Sequence, residues 1–156
     1  MFFLVAPTVV AGIVPWLLSG WVVSDPAWAW PVRALGWLLI AAAVPVLVAA
    51  FVRFVREGLG TPAPVAPTER LVVGGLYRFV RNPMYVAVLA IIVGQALVLG
   101  RPVLLVYAVV VGVAVTAFVR FYEEPTLLSA YGAEYQRYHD AVPGWWPRLR
   151  PYRCDD

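Results

Sequence analysis

Charge is what this sequence has least of: 13% of its 156 residues are Asp, Glu, Lys or Arg, about half the roughly 25% usual in a soluble domain. A water-soluble globular domain is excluded on that ground. Disorder is excluded as well, because it rests on low hydrophobicity and high charge, and 62% of these residues are hydrophobic. Lysine is missing altogether, so all 12 basic residues are arginines. The single cysteine, Cys154, has no partner for an internal disulfide and offers no zinc-binding spacing. It is not a prenylation box either, since only Asp155 and Asp156 follow it. One histidine, His139, excludes a multi-histidine metal centre, and no metal site is expected.

What the chain does have is long apolar runs. About 20 apolar residues cross the roughly 30 Å of bilayer hydrocarbon, and the charge-free stretches 2–23, 34–52, 83–100 and 102–119 meet or approach that length. The fold class expected is an all-α integral membrane protein with four transmembrane helices, at about 2–23, 32–56, 83–100 and 102–122. The whole chain, 1–156, reads as a single membrane-embedded domain. Pro7, Pro15 and Pro45 are compatible with this, because neighbouring groups in a membrane bundle re-satisfy the carbonyls that proline frees. Ala27-Trp28-Ala29 fits a signal-peptide cleavage site. The first run nevertheless lacks a basic leader and exceeds the apolar length of a signal sequence, so it is read as a span.

Arginine counts set the expected orientation. Arg33 and Arg101 are the only two on one side, against ten on the other: Arg53, Arg56, Arg70, Arg78 and Arg81 between the second and third spans, and Arg120, Arg137, Arg148, Arg150 and Arg153 after the fourth. Cytoplasmic loops carry the basic excess, so both termini are expected in the cytoplasm, with a bacterial inner membrane as the location. The arginines flank spans and do not form a stripe, which excludes a nucleic-acid surface.

Two polar blocks stand out. Residues 58–67, rich in proline and glycine, read as a loop, and lead to Tyr77, Arg78, Arg81, Asn82 and Tyr85 at the mouth of the third span. Arg81 can hold a carboxylate in a fork, Asn82 both donates and accepts, and the tyrosines offer ring faces and hydroxyls. A Tyr and Arg belt at the membrane interface is the structural alternative. The second block begins at Arg120 and carries Glu123 and Glu124. Adjacent carboxylates at a membrane boundary need partners, either Arg120 one turn back or a polar cavity. Leu127, Leu128, Tyr131, Tyr135 and Tyr138 recur at helical spacing, predicting a C-terminal amphipathic helix over about 124–140 on the cytoplasmic face, kinked away from the fourth span by Pro125. Glu134 and Arg137 read as a solvated pair, His139 as interfacial, and Gln95 as an interhelical hydrogen-bonding group.

Gly75-x-Tyr77-x-x-x-Arg81-Asn82-Pro83-x-Tyr85, followed by Glu123-Glu124-x-x-Leu127 and Tyr131-Gly132-x-x-Tyr135-x-x-Tyr138, resembles the isoprenylcysteine carboxyl methyltransferase family, which is related to the phospholipid N-methyltransferases. The resemblance covers about half the chain, roughly 71–147. It implies a membrane enzyme that uses S-adenosylmethionine, with Gly75, Tyr77, Arg81, Asn82, Tyr85, Glu123, Glu124, Leu127 and Tyr135 at the cofactor site and Arg81 and Glu124 as the catalytic pair. No Rossmann domain is expected, since Gly74-Gly75 lacks the GxGxxG spacing. Prenylcysteine enzymes carry His where this chain has Asn82, which places the acceptor in question more than the cofactor. The partner implied is a lipid or lipidated acceptor drawn from the bilayer. A carboxylate acceptor is favoured here, with a phospholipid amine as the alternative. A sterol-reductase-like enzyme using NADPH and a non-enzymatic scaffold are the rival classes.

Overall fold

The computed structural model describes residues 2–24, 30–57 and 71–152. Every regular element among them is helical: α1 (Phe2–Thr8), a π turn (Val9–Ile13), α2 (Val14–Ser19), α3 (Trp30–Glu57), a 3₁₀ turn (Gly75–Arg78), α4 (Pro83–Leu99), α5 (Pro102–Phe118), a second π turn (Val119–Glu123), α6 (Glu124–Tyr131) and α7 (Ala133–Ala141). Two helices among the described residues, Trp30–Arg56 and Pro102–Tyr131, are long and apolar enough to cross a membrane, while Val5–Ser19 and Pro83–Leu99 are shorter apolar helices. The 17 residues of α4 rise about 25 Å at 1.5 Å each, short of the roughly 30 Å of hydrocarbon. The tripeptide 27–29, the loop 58–67, Arg70, Arg153 and Cys154 lie outside the described residues.

Three sequence expectations shift. The first helix ends at Ser19 and not at 23, because Gly20 turns left-handed at φ 57° and closes the last turn by donating its N–H to the Trp16 carbonyl at 2.7 Å. The fourth helix does not stop at 122: helical structure runs on through Tyr131. The C-terminal helix expected over 124–140 is divided at Gly132, whose φ of 53° and ψ of −125° belong to a region closed to residues with a Cβ.

Pro125 fails to end the helix for a reason the first helix repeats. Each π turn sits immediately upstream of a proline, Val9–Ile13 before Pro15 and Val119–Glu123 before Pro125. A proline removes one donor and crowds the carbonyl four residues back; an i→i+5 turn, such as Val14 N–H to Val9 O or Glu124 N–H to Val119 O, opens the helix where that crowding falls.

The chain divides into two compact units, one made of Met1–Pro45 and Ala87–Val115 and the other of Val46–Val86 and Thr116–Asp156. In the first, the carbonyls that Pro15 leaves without an amide partner are capped by side chains. Gln95 Nε2 donates to Ala11 O at 2.6 Å and Tyr107 Oη to Val10 O at 3.0 Å, which makes Gln95 the interhelical group its place in an apolar run suggested. Backbones touch where Gly36 faces Gly94, since a Cβ on Gly36 would stand 2.7 Å from Gly94 O. Arg33 Nη2 donates to Ser24 O at 2.6 Å and Arg101 Nε to Val22 O at 3.0 Å. The outward surface is apolar: Leu38, Val109 and Val113 are all exposed.

The second unit holds the polar blocks. One apolar cluster joins Ala50, Val72 and Tyr77 with Phe54, Leu76 and Met84; another joins Tyr135, Tyr138 and Val142 with Leu71, Val73, Leu127, Tyr131 and Tyr152. Leu128, expected on that face, is exposed instead, while Leu127 and Tyr131 of the same helix pack into the cluster. Arg137 Nε turns to the Ala133 carbonyl at 3.4 Å and not to Glu134.

Candidate functional site

The site is built on the turn that precedes α4. Gly75, at φ 58°, lets the chain fold into the 3₁₀ turn with the Arg53 side chain packed 3.5 Å from where a Cβ would stand. Tyr77 is thereby buried, and its carbonyl accepts the Tyr138 hydroxyl at 2.7 Å. Asn82 precedes Pro83, which occupies the first helical position without cost because that N–H has no helical partner; the Asn82 carbonyl accepts the Val86 N–H at 3.2 Å and starts the helix. Arg81 and Asn82 are therefore held just outside the helix, facing α6 and α7.

A tail after α7 straps this turn in place. Arg81 N–H donates to Pro143 O at 2.9 Å and Asn82 N–H to Gly144 O at 3.2 Å, while Arg148 N–H reaches Phe79 O and Tyr152 N–H reaches Arg78 O, both at 2.9 Å. Arg78 Nε closes the strap on Tyr152 O at 2.6 Å. Gly144 lies against the Arg81 and Asn82 side chains: a Cβ there would stand 3.3 Å from Arg81 Nη2 and 3.5 Å from Asn82 Nδ2.

Charge concentrates at Glu124. Its Oε1 accepts Arg81 Nη1 at 3.0 Å and lies 3.5 Å from His139 Nε2, and its Oε2 accepts Arg120 Nη1 at 3.1 Å. The helical neighbour Arg120 is thus one partner of Glu124, and Arg81 from the turn before α4 is the other. Arg81 also donates to the Tyr135 hydroxyl at 3.3 Å, and the Tyr85 hydroxyl donates to Glu123 Oε2 at 3.1 Å. Burial pushes the Tyr135 phenol above its ordinary range, against the pull of Arg81, and pushes that of Tyr138 up as well. Both are neutral hydroxyls at physiological pH. Arg81 Nε and Asn82 Nδ2 are buried N–H donors without a partner, a condition that costs about 1–3 kcal/mol per group and marks a place where an acceptor is wanted.

Of the residues singled out in the sequence, Arg81, Glu124 and Tyr135 meet directly, Tyr85 pairs with Glu123, and Asn82 lies beside Arg81 at Gly144. Gly75, Tyr77 and Leu127 stand in the turn and the apolar clusters that carry these groups. Sequence reasoning placed His139 at an interface and passed over Gly144 and the strap. The i, i+4 spacing of Tyr135 and His139 was a signal for the first; the strap had none, since its bonds are nearly all made by backbone. No cluster of three metal-ligating residues occurs among the described residues.

Residues 31–134, about two thirds of the chain, match the family model described as phospholipid methyltransferase. No curated protein and no solved structure matches the chain.

Proposed function

The chain belongs to the phospholipid methyltransferase family, and from that premise we propose that it is a membrane enzyme that moves a methyl group from S-adenosylmethionine onto a lipid acceptor. The observation that carries the cofactor reading is the pair of unpartnered buried donors, Arg81 Nε and Asn82 Nδ2, set beside the carboxylates of Glu123 and Glu124. A carboxylate ligand suits the donors, a ribose diol suits the glutamates, and a sulfonium suits the tyrosine faces. When bound, the cofactor supplies an electrophilic methyl carried on positive sulfur.

The protein's share is then alignment, exclusion of water and proton handling. Arg81, pinned between Glu124 and Tyr135, presents a fixed donor. Asn82 presents a second donor that does not titrate. Tyr85 holds Glu123 by a hydroxyl hydrogen bond. Glu124 stands as the base for an acceptor that carries a proton.

The family description supports a phospholipid as acceptor, and the headgroup amine is the reacting group proposed. The motif likeness to prenylcysteine enzymes supports a carboxylate instead, which is ionised near neutral pH and needs no base, but Asn82 in place of their histidine weakens that likeness at the site itself. The surrounding topology proposed is four spans with both termini cytoplasmic, supported by the arginine asymmetry and checked by reporter fusions at Arg101 and the C-terminus, which should report opposite sides.

Calorimetry with S-adenosylhomocysteine tests the cofactor site. Glu123→Gln and Glu124→Gln should weaken binding by about 1.5–3 kcal/mol each, the worth of a charged hydrogen bond, while Glu134→Gln should not. Equal affinity in all three variants removes the assignment. Methyl-labelled cofactor given to lipid extracts identifies the acceptor: label retained after mild alkali is an N-methyl headgroup, and label released as methanol is an ester.

A further inference from the structure

One proton must leave for each methyl group placed on an ammonium headgroup, and the charged cluster around Glu124 contains a path for it. His139 sits between two carboxylates. Its Nε2 is 3.5 Å from Glu124 Oε1, and its Nδ1 is 3.2 Å from Asp140 Oδ1. Side-chain exposure climbs along this line, from 15% at Glu124 to 30% at His139 and 65% at Asp140, so the path runs from a sheltered group to solvent. An imidazole suits that position because it takes a proton on one nitrogen while releasing one from the other.

We propose that His139 relays protons from Glu124 to Asp140 and solvent, acting on the lipid acceptor through Glu124. The inference rests on the amine reading of the acceptor given above. Each charged or titratable group facing the ring has a part. Glu124 comes from α6, Tyr135 lies one turn back on α7 with ring centres 5.9 Å apart, and Asp140 is the next residue. Arg81 shares Glu124 Oε1 with the imidazole, and Arg120 holds the other oxygen. Gln136 Nε2 donates to the same Asp140 oxygen at 2.9 Å, which fixes the carboxylate that receives the proton.

In the transfer, the headgroup ammonium gives one proton to the Glu124 carboxylate, and the freed nitrogen lone pair forms the new carbon–nitrogen bond. The methyl–sulfur bond breaks with its electrons remaining on sulfur as a thioether, and the product is an N-methyl ammonium. Glu124 passes its proton to His139 Nε2. In the tautomer that donates Nδ1–H to Asp140 across the 3.2 Å contact, that proton passes to Asp140 and water. Arg81 is always charged and takes no part in the transfer beyond orienting Glu124.

The test uses the full chain in detergent or lipid with the amine lipid that the wild type methylates. His139→Asn should lower turnover about tenfold near pH 6–7, less than the hundredfold or more of a direct general base, because water reaches a partly exposed ring. The deficit should shrink as pH rises and the amine sheds its proton unaided, and added imidazole should restore the rate. S-adenosylhomocysteine affinity should be unchanged. The chain has one histidine, so the nuclear magnetic resonance spectrum of ring-labelled histidine reports His139 alone, and its ring-nitrogen signals at a fixed pH must differ between wild type and Glu124→Gln. An N-methyl product with unimpaired rate and pH profile in His139→Asn overturns the relay alone, as do identical ring-nitrogen spectra in the two proteins. A methyl-ester product from the wild type overturns the amine reading and the relay with it.

Discussion

Glu124 accepts two arginines at nearly equal distance, 3.0 Å from Arg81 and 3.1 Å from Arg120, yet the two bonds should differ severalfold in worth. Distance cannot separate them, so the medium must. The Arg81 side chain is 13% exposed and that of Arg120 71%. Attraction between charges grows as the effective dielectric falls, and an arginine left sheltered without its carboxylate has little water to turn to. A coupling of about 1.5–3 kcal/mol is expected for Arg81 with Glu124, typical of a sheltered charged hydrogen bond. The Arg120 pair spans i to i+4 with the base on the N-terminal side, the poorer orientation, and should contribute no more than about 0.5 kcal/mol. Double-mutant cycles with Glu124→Gln, Arg81→Met and Arg120→Met, measured by reversible unfolding in mixed micelles, give both couplings directly. An Arg120 coupling equal to or above that of Arg81 would refute the reasoning, because it would mean that burial does not decide which arginine Glu124 serves.

Three further outcomes are expected. Gly144→Ala should weaken S-adenosylhomocysteine binding, since its Cβ would stand 3.3 Å from Arg81 Nη2 and Arg81 is already tied to Glu124 and Tyr135; calorimetry matching wild type would show that the strap does not govern the site. Tyr107→Phe should cost about 1 kcal/mol by orphaning the Val10 carbonyl, and Gln95→Leu less, because it also removes the buried and unpartnered Oε1; the reverse order in mixed-micelle unfolding would contradict this. Burial raises the Tyr138 phenol above its ordinary value of 10.0, so its contribution is intact below about pH 10 and is lost as pH climbs toward the raised value. A melting temperature that falls above about pH 10 in wild type but less steeply in Tyr138→Phe is the expected signature, and parallel curves would exclude Tyr138 as the source.

Much of the site was legible because its members lie in two short blocks. Arg81, Asn82 and Tyr85 fall within five consecutive positions, and Glu123 and Glu124 are adjacent, so both blocks show in the local sequence, although the glutamates lie inside the helical run from Pro102 to Tyr131 and not at its end. Pro125 marked where the fourth apolar run passes into the C-terminal helix, and a π turn lies just before it while the helix continues to Tyr131. Gly132, with no proline beside it to mark a turn, is where the backbone departs from helical geometry.

Composition and periodicity determined what solvent this chain is made for and that it is helical, because scarcity of charge and the length of apolar runs are properties of the chain before it folds. They also determined which residue types could meet an anion or a lipid headgroup. The tertiary structure decided which of them come together. Glu124 joining Arg81 across 43 residues, the strap of backbone hydrogen bonds over residues 78–82, and His139 lying between Glu124 and Asp140 all depend on where α6 and α7 pack. Packing of that kind is set by Gly132, by the buried Tyr77–Tyr138 contact and by the fit of Gly144 against Arg81 and Asn82. Those are relations between distant positions, fixed by shape and by the pairing of buried polar groups, and they leave no periodic mark along the sequence.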